Sequence, residues 1–326
     1  MATTLMDPTS PPDASVQLVR AGVLLLDKPV GLSSNGALQV VRRLAGGIKA
    51  GHGGSLDPLA SGMLPICLGE ATRLAGELLH GRKAYRFGLK LGERSATGDA
   101  EGEIVERSEV PSLGQAQLGE VLQTFLGTHE QTPPMYSALK RDGQPLYRLA
   151  RRGITVERAP RSVCIDRLQL LEQAPDELQL EVGCSSGTYV RVLGEDIARA
   201  LGTCGRLTSL RRLYVEPFQT HAMVQLETLR TLSESGLSWP LLPADRAVSH
   251  LPALPLTGAQ ASSLTQGRTV QLQAQLPPQT QPAQSSPQPA LWRLYDVEGR
   301  FLGLGESDAT GLLRSRRLFP APLAIT

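Results

Sequence analysis

The residues best suited to chemistry lie in one loop, Gly51-His52-Gly53-Gly54-Ser55-Leu56-Asp57-Pro58-Leu59-Ala60-Ser61-Gly62. Its glycines let the backbone take conformations closed to other residues and let a bulky ligand come near. Asp57 is the one carboxylate there, so it is a candidate base or nucleophile. Asp-Pro is also a common turn initiator, and the pattern alone leaves the structural and the chemical reading both open. The loop lacks the Lys-Ser/Thr of a triphosphate-binding loop, and no dinucleotide fingerprint or Gly-x-Ser-x-Gly elbow occurs. The five histidines (His52, His80, His129, His221, His250) have no ligand spacing, so no metal is expected.

The elements that must position this loop follow from hydrophobic pattern. Gly22 to Asp27 is an apolar run that reads as a buried strand. Ser33 or Ser34 can cap a helix over about 36–44. Strands are expected at Met63 to Leu68 and Tyr85 to Leu91, with a helix between them at Glu70 to Leu79. Glu93 to Glu103 reads as an acidic loop, and 112–125 as a helix with Leu113, Leu118, Val121 and Leu122 on one face. Val156 to Leu171, Leu178 to Val182 and Leu210 to Val215 read as strands, with helices at 190–201 and 226–233. Near the end, Leu291 to Asp296, Phe301 to Gly305 and Leu312 to Leu318 imply a small β-rich unit.

The 326 residues suggest two domains. With 41% hydrophobic and 20% charged residues the composition is globular, and no apolar run reaches the ~18 residues of a membrane span. Residues 1–18 hold two acidic residues and three prolines and read as a disordered tail, not a secretion signal. Residues 271–290 carry seven glutamines, five prolines and no charge, and are expected to be a flexible insertion. The four cysteines are scattered, which suits a reducing cytoplasm. Net charge is only +2, so nucleic-acid binding would need local clusters. One exists: Lys140, Arg141, Arg148, Arg151, Arg152, Arg158 and Arg161 face only Asp142 and Glu157 in that stretch.

The loop as it continues to Met63-Leu64-Pro65 resembles the signature of the bacterial tRNA pseudouridine synthase B family. Further matches stand in the family's order: Asp27-Lys28-Pro29-Val30-Gly31, Gly69-Glu70-Ala71-Thr72-Arg73, Lys83-Ala84-Tyr85-Arg86 and Gln131 to Ala138. Ser186-Gly187-Thr188-Tyr189-Val190-Arg191 and Leu210-Arg211-Arg212 complete the set, covering roughly 20–245. The resemblance implies an α+β fold with a mixed, mainly antiparallel central sheet and flanking helices, the pseudouridine synthase fold, in residues 19–245. Residues 130–162 would be a thumb-like, RNA-clamping insertion. Residues 246–326 would form a small PUA-like RNA-binding domain, since Gly299 to Gly305 is similar to that module, and Arg314, Arg316 and Arg317 form its basic cluster.

The implied activity is isomerisation of uridine 55 in the tRNA T-loop, with no cofactor and no metal. Asp57 would be the nucleophile and Arg191 its ion-pair partner, lowering its pKa. Tyr85 would stack on the flipped uracil and serve as candidate proton acceptor. Tyr189 and Leu210 would line the uracil pocket, and His52 would enter the opened loop in place of the extruded base. Lys140, Arg141, Arg148, Arg151 and Arg152 would hold the RNA backbone, while Lys28 and Pro29 would buttress the Asp57 loop. The expected partner is the tRNA T-arm, with no membrane and no obligate protein partner, and the chain is expected to be a cytoplasmic monomer. A guide-RNA-type synthase and a tRNA-folding chaperone acting without catalysis are the alternatives.

Overall fold

The computed structural model describes residues 21–272 and 289–323. The expected tail at 1–18 and most of the Gln/Pro stretch lie outside the described residues. The chain opens with β1 (Gly22–Lys28), α1 (Ser34–Leu44), β2 (Ala50–His52) and β3 (Ala60–Leu68). Then come β4 (Lys83–Leu91), β5 (Glu93–Ser95), β6 (Ile104–Arg107), α2 (Gln115–Thr124) and β7 (Gly127–Gln131). The basic stretch holds β8 (Lys140–Arg141), β9 (Gln144–Pro145) and α3 (Leu146–Ala150). Next are β10 (Arg161–Gln173), β11 (Glu177–Cys184), α4 (Val190–Ala200), β12 (Gly205–Val215), β13 (Val224–Gln225) and α5 (Leu226–Glu234). The last unit comprises β14 (Ala253–Pro255), α6 (Gly258–Thr265), β15 (Val270–Gln271), β16 (Ala290–Tyr295), β17 (Phe301–Ser307) and β18 (Leu312–Leu323).

The central sheet runs β13-β1-β3-β12-β4-β11-β10-β7, with β2 added beside β3. Only β13/β1 and β12/β3 are parallel pairs; the rest are antiparallel. The architecture is therefore α+β with a mixed, mainly antiparallel sheet. The unbroken apolar run of β1 is explained by burial on both faces. Val23 and Leu25 enter one core, while Leu24 and Leu26 enter another formed with α1 and α5. Truncating the fully buried Leu24 to Ala should cost about 2–5 kcal/mol. In β4, the alternate residues Tyr85, Phe87, Leu89 and Leu91 face a third core covered by α2 and α4.

The β-rich end forms a separate sheet, β14-β16-β17-β18-β15, around Trp292, Leu294 and Leu313. Its Phe301, Leu304 and Phe319 also pack with Val23, Leu25, Met63 and Leu78, so the smaller sheet shares a core with the larger.

Three expectations are corrected. The helix over 70–79 is instead two short 3-10 turns, Gly69–Leu74 and Glu77–Leu79, which bury Ala71, Leu74 and Leu78. The acidic stretch from Glu93 begins as a strand, where Glu93 accepts from Arg107 and Arg206. The strand expected from Val156 starts only at Arg161, where pairing with β7 begins. No helix among the described residues is long and apolar enough to cross a membrane.

Candidate active site

The loop bearing Asp57 is held from several directions. Ser33 caps α1, its hydroxyl accepting from the Gly36 amide at 3.0 Å, which leaves Ser34 free for another task. The buried Ser34 hydroxyl accepts from the Leu56 amide at 2.6 Å and donates to the Leu56 carbonyl at 3.0 Å. On the other side of Asp57, the Gly31 amide donates to the Pro58 carbonyl at 2.8 Å. Lys28, wholly buried, spends its ammonium on the carbonyls of Pro29 and Leu32, which fixes the turn that carries Gly31. Arg211 steadies Asp27 beside it through a two-pronged pair at 2.9 and 2.8 Å.

The turn at Asp57 is closed by its backbone, since the Ala60 amide donates to the Asp57 carbonyl at 3.0 Å. The carboxylate is thereby free to face Arg191, whose Nε lies 3.1 Å from Oδ2. Arg191 sits in the first turn of α4 and is 5% exposed. Its two Nη atoms donate to the carbonyls of Thr97 at 2.7 Å and Tyr136 at 2.6 Å, so the guanidinium is locked from behind. Asp99, 2% exposed, stands 3.7 Å from the same Nε. Arg191 thus serves two carboxylates.

The electrostatic expectation for Asp57 is corrected here. Burial is the largest influence and raises its pKa; Asp99 adds to the rise, and Arg191 opposes both without reversing them. The carboxylate is half-buried, its side chain keeping 42% of its accessible surface. Glu101 is pushed up as well, first by burial and then by Asp99 and Asp57. Lys28 is brought down to about 8 by burial, although Asp57 pulls it upward.

Tyr85 and Leu210 lie in the same core as Leu56, on the adjacent strands β4 and β12, and each is 8% exposed. Burial raises the Tyr85 hydroxyl, with Arg212 pulling the other way. Tyr189 caps α4, two residues before Arg191. Its backbone is clamped by Gln131, which accepts from the Tyr189 amide at 2.7 Å and donates to its carbonyl at 3.1 Å. The Tyr189 ring lies under the Arg161 guanidinium, 4.7 Å from its centroid. His52 ends β2, paired with Ile66. Its Nδ1 is buried with no hydrogen-bond partner among the described residues, and burial followed by Arg212 lowers its pKa, so the ring is neutral near pH 7.

Two charged residues beside the loop were assigned no role on sequence grounds. Asp99 lies in the stretch that read as a loop, with no apolar pattern to place it. Arg212 belongs to a recognised motif, but nothing in a linear pattern says that its side chain runs beneath Gly54 and Ser55. A cavity of about 440 Å³ opens beside Arg191 and is lined by Thr97, Tyr136, Arg158 and Glu195, not by Asp57. Among the described residues, no group of His, Cys, Asp and Glu side chains is arranged to hold a metal.

The basic stretch projects as the β8–β9 hairpin and α3. Asp142 and Gly143 at its tip take φ of 50° and 78°, the left-handed pair that a tight Asp-Gly hairpin turn requires. Lys140, Arg141, Arg148, Arg151 and Arg152 are all exposed. None of the five forms an ion pair with any described carboxylate, whereas most other arginines do. Arg316 and Arg317 of the end unit lean instead on Glu77 and the Arg73 carbonyl, and Arg314 pairs with Glu306.

Three family models match consecutive parts of the chain. TruB family pseudouridylate synthase (N terminal domain) covers 42–190, and tRNA pseudouridylate synthase B C-terminal domain covers 191–249. Pseudouridine synthase II TruB, C-terminal, covers 252–319. A tRNA pseudouridine synthase B of Dechloromonas aromatica is 46% identical over 91% of this chain and 95% of its own. The chain belongs to the TruB family. Other TruB relatives agree: the tRNA pseudouridine synthase B of Aromatoleum aromaticum is 47% identical over 91% of this chain and 92% of its own. That of Stutzerimonas stutzeri is 46% identical over 94% and 98%. Among solved structures, the TruB-family fold is shared with a Cbf5-Nop10-Gar1 complex, at TM-score 0.67 and 24% identity over 94% of this chain and 85% of that one. An H/ACA RNP bound to a substrate RNA containing 2'-deoxyuridine matches at TM-score 0.67 and 20% identity, over 97% and 92%. These last two likenesses show the fold alone.

Proposed function

We propose that this TruB-family chain converts uridine 55 in the T-loop of tRNA to pseudouridine, with Asp57 as nucleophile. The observation that carries the reading is the Asp57 carboxylate, released from its turn and facing Arg191 at 3.1 Å beside the buried Tyr85. Isomerisation breaks the N1–C1′ bond, joins C5 to C1′, removes the C5 proton and returns one to N1. No electron is gained or lost. Asp57 in its ionised form supplies the attack, at C6, at C1′ or on the 2′ proton. Arg191 holds the carboxylate in place, and Tyr85 gives the extruded base a face to stack on and a hydroxyl near C5. Tyr189 and Leu210 wall the base pocket. His52, kept neutral, fills the gap in the opened loop at no ionic cost.

A uridine inside a folded loop must first be swung out, at a cost of a few kcal/mol. The five cations of the hairpin, α3 and the turn after it, none ion-paired with a described carboxylate, support phosphate binding as the source of that energy. We take residues 130–162 as the clamp, 19–245 as the catalytic domain and 246–326 as an accessory RNA-binding domain. The tRNA-specific names of the curated relatives favour tRNA as substrate, and we take the chain to act alone as a cytoplasmic monomer. The test is pseudouridine mapping on an unmodified T-arm hairpin incubated with the purified chain and with Asp57→Asn. A new pseudouridine at position 55 with the wild type alone, absent with the variant, is the expected result. Modification that requires a guide RNA would favour the guide-dependent reading, and refolding without modification would favour the chaperone.

A further inference from the structure

Arg212 is the largest charged side chain fully buried in the described residues, at 1% exposure. No described carboxylate lies within ion-pair distance of it, an arrangement that normally carries a heavy penalty. Its guanidinium donates to three backbone carbonyls, from Nε to Met63 at 2.7 Å, from Nη1 to Ser55 at 3.4 Å and from Nη2 to Gly54 at 3.3 Å, and it also faces the Tyr85 hydroxyl, whose pKa it pulls down. Met63 belongs to β3, while Gly54 and Ser55 lead directly into Asp57.

The backbone of Arg212 is equally committed. It is paired with Gly62 of β3 on one side and with Tyr85 of β4 on the other. The approach to Gly62 is so close that a Cβ there would stand 2.1 Å from the Arg212 carbonyl oxygen, and Gly62 holds φ of 97°. Gly54, at φ 111°, has the freedom to swing unless its carbonyl is held. One residue therefore links the strand that carries the base-stacking tyrosine to the peptides that aim the carboxylate.

We infer that Arg212 is a positioning residue that registers the Asp57 loop against Tyr85. The inference rests on the reaction proposed above. Lysine cannot replace it, because a single ammonium on a flexible stem cannot span three carbonyls in fixed directions. Small displacements of a reacting group are costly: about 1 Å can remove 10²-fold in rate.

The test is single-turnover isomerisation of the T-arm hairpin by the full chain, wild type against Arg212→Lys, with hairpin affinity and thermal unfolding measured in parallel. The expected result is a rate constant lower by about 100-fold in the folded variant with affinity within about threefold, since the loss falls on chemistry and not on RNA binding. A purely structural arginine would lower the unfolding temperature and leave the folded variant's rate constant unchanged; that outcome overturns the inference. Inactivity of the wild type would count against the proposed reaction instead. Should Arg212→Lys not fold, the Arg212 guanidinium resonances of the wild type decide. Slowly rotating, distinct Nη signals in free and hairpin-bound chain support the clamp, and averaged signals overturn it.

Discussion

Arg191 lies 3.1 Å from Asp57, yet Asp57 is held above the ordinary carboxylate range, because burial and the nearby Asp99 outweigh the single guanidinium. Arg191 is divided between two acids and two backbone carbonyls, so its pull on either acid is diluted. In the proposed reaction Asp57 attacks in its ionised form, so its ionisation would set the low-pH limit of activity.

The pH dependence follows in sign. Single-turnover rates on the T-arm hairpin should rise with pH through the raised Asp57 titration. Asp99→Asn removes a like charge that pushes Asp57 up, so the acid limb should move to lower pH. Arg191→Met removes an opposing charge, and the Asp57 titration, followed by carboxyl NMR shifts, should move to higher pH. A shift of the Asp99→Asn limb to higher pH would sink this account.

Asp57→Asn should abolish isomerisation and spare hairpin binding. Its stability follows from linkage. The folded-state pKa is raised, so stability is fullest below the unfolded value, about 3.9, and is lost as pH rises through the folded one. Removing the carboxylate relieves that loss. The unfolding temperature at pH 7 should equal or exceed that of the wild type, with the difference closing near pH 3–4. A clear drop at pH 7 would contradict it.

Arg151→Ala with Arg152→Ala should weaken hairpin binding and flatten the slope of log affinity against log salt by about one per lost phosphate contact. The rate of bound hairpin should change little, since neither residue forms an ion pair with Asp57. An unaltered salt slope would remove phosphate contact from their role.

Ser34→Ala strips both the donor and the acceptor from the buried Leu56 peptide. Leaving such groups unsatisfied costs about 1–3 kcal/mol, measurable by denaturant unfolding. Activity should fall too, because Leu56 adjoins Asp57. Stability and rate both unchanged would show that the loop is fixed by other contacts.

The linear order of residues was enough for the motif loop, the buried strand β1 and the helices α1, α4 and α5. These are local matters of apolar period, capping and glycine placement. It could not fix what depends on neighbours distant in sequence. The segment 70–79 has helical spacing, but its apolar side chains are drawn into the core shared with Phe301 and Phe319, and the backbone tightens into two 3-10 turns. Whether Ser33 or Ser34 capped α1 was settled by Leu56, which claims Ser34. The Asp57 titration turned on burial first, then on Arg191 and Asp99, and the aim of its loop on Arg212, none of which a linear pattern near Asp57 reveals. Charges and hydrogen bonds act through space, so the balance among burial, Arg191 and Asp99 exists only once the strands and α4 have brought them within a few ångströms.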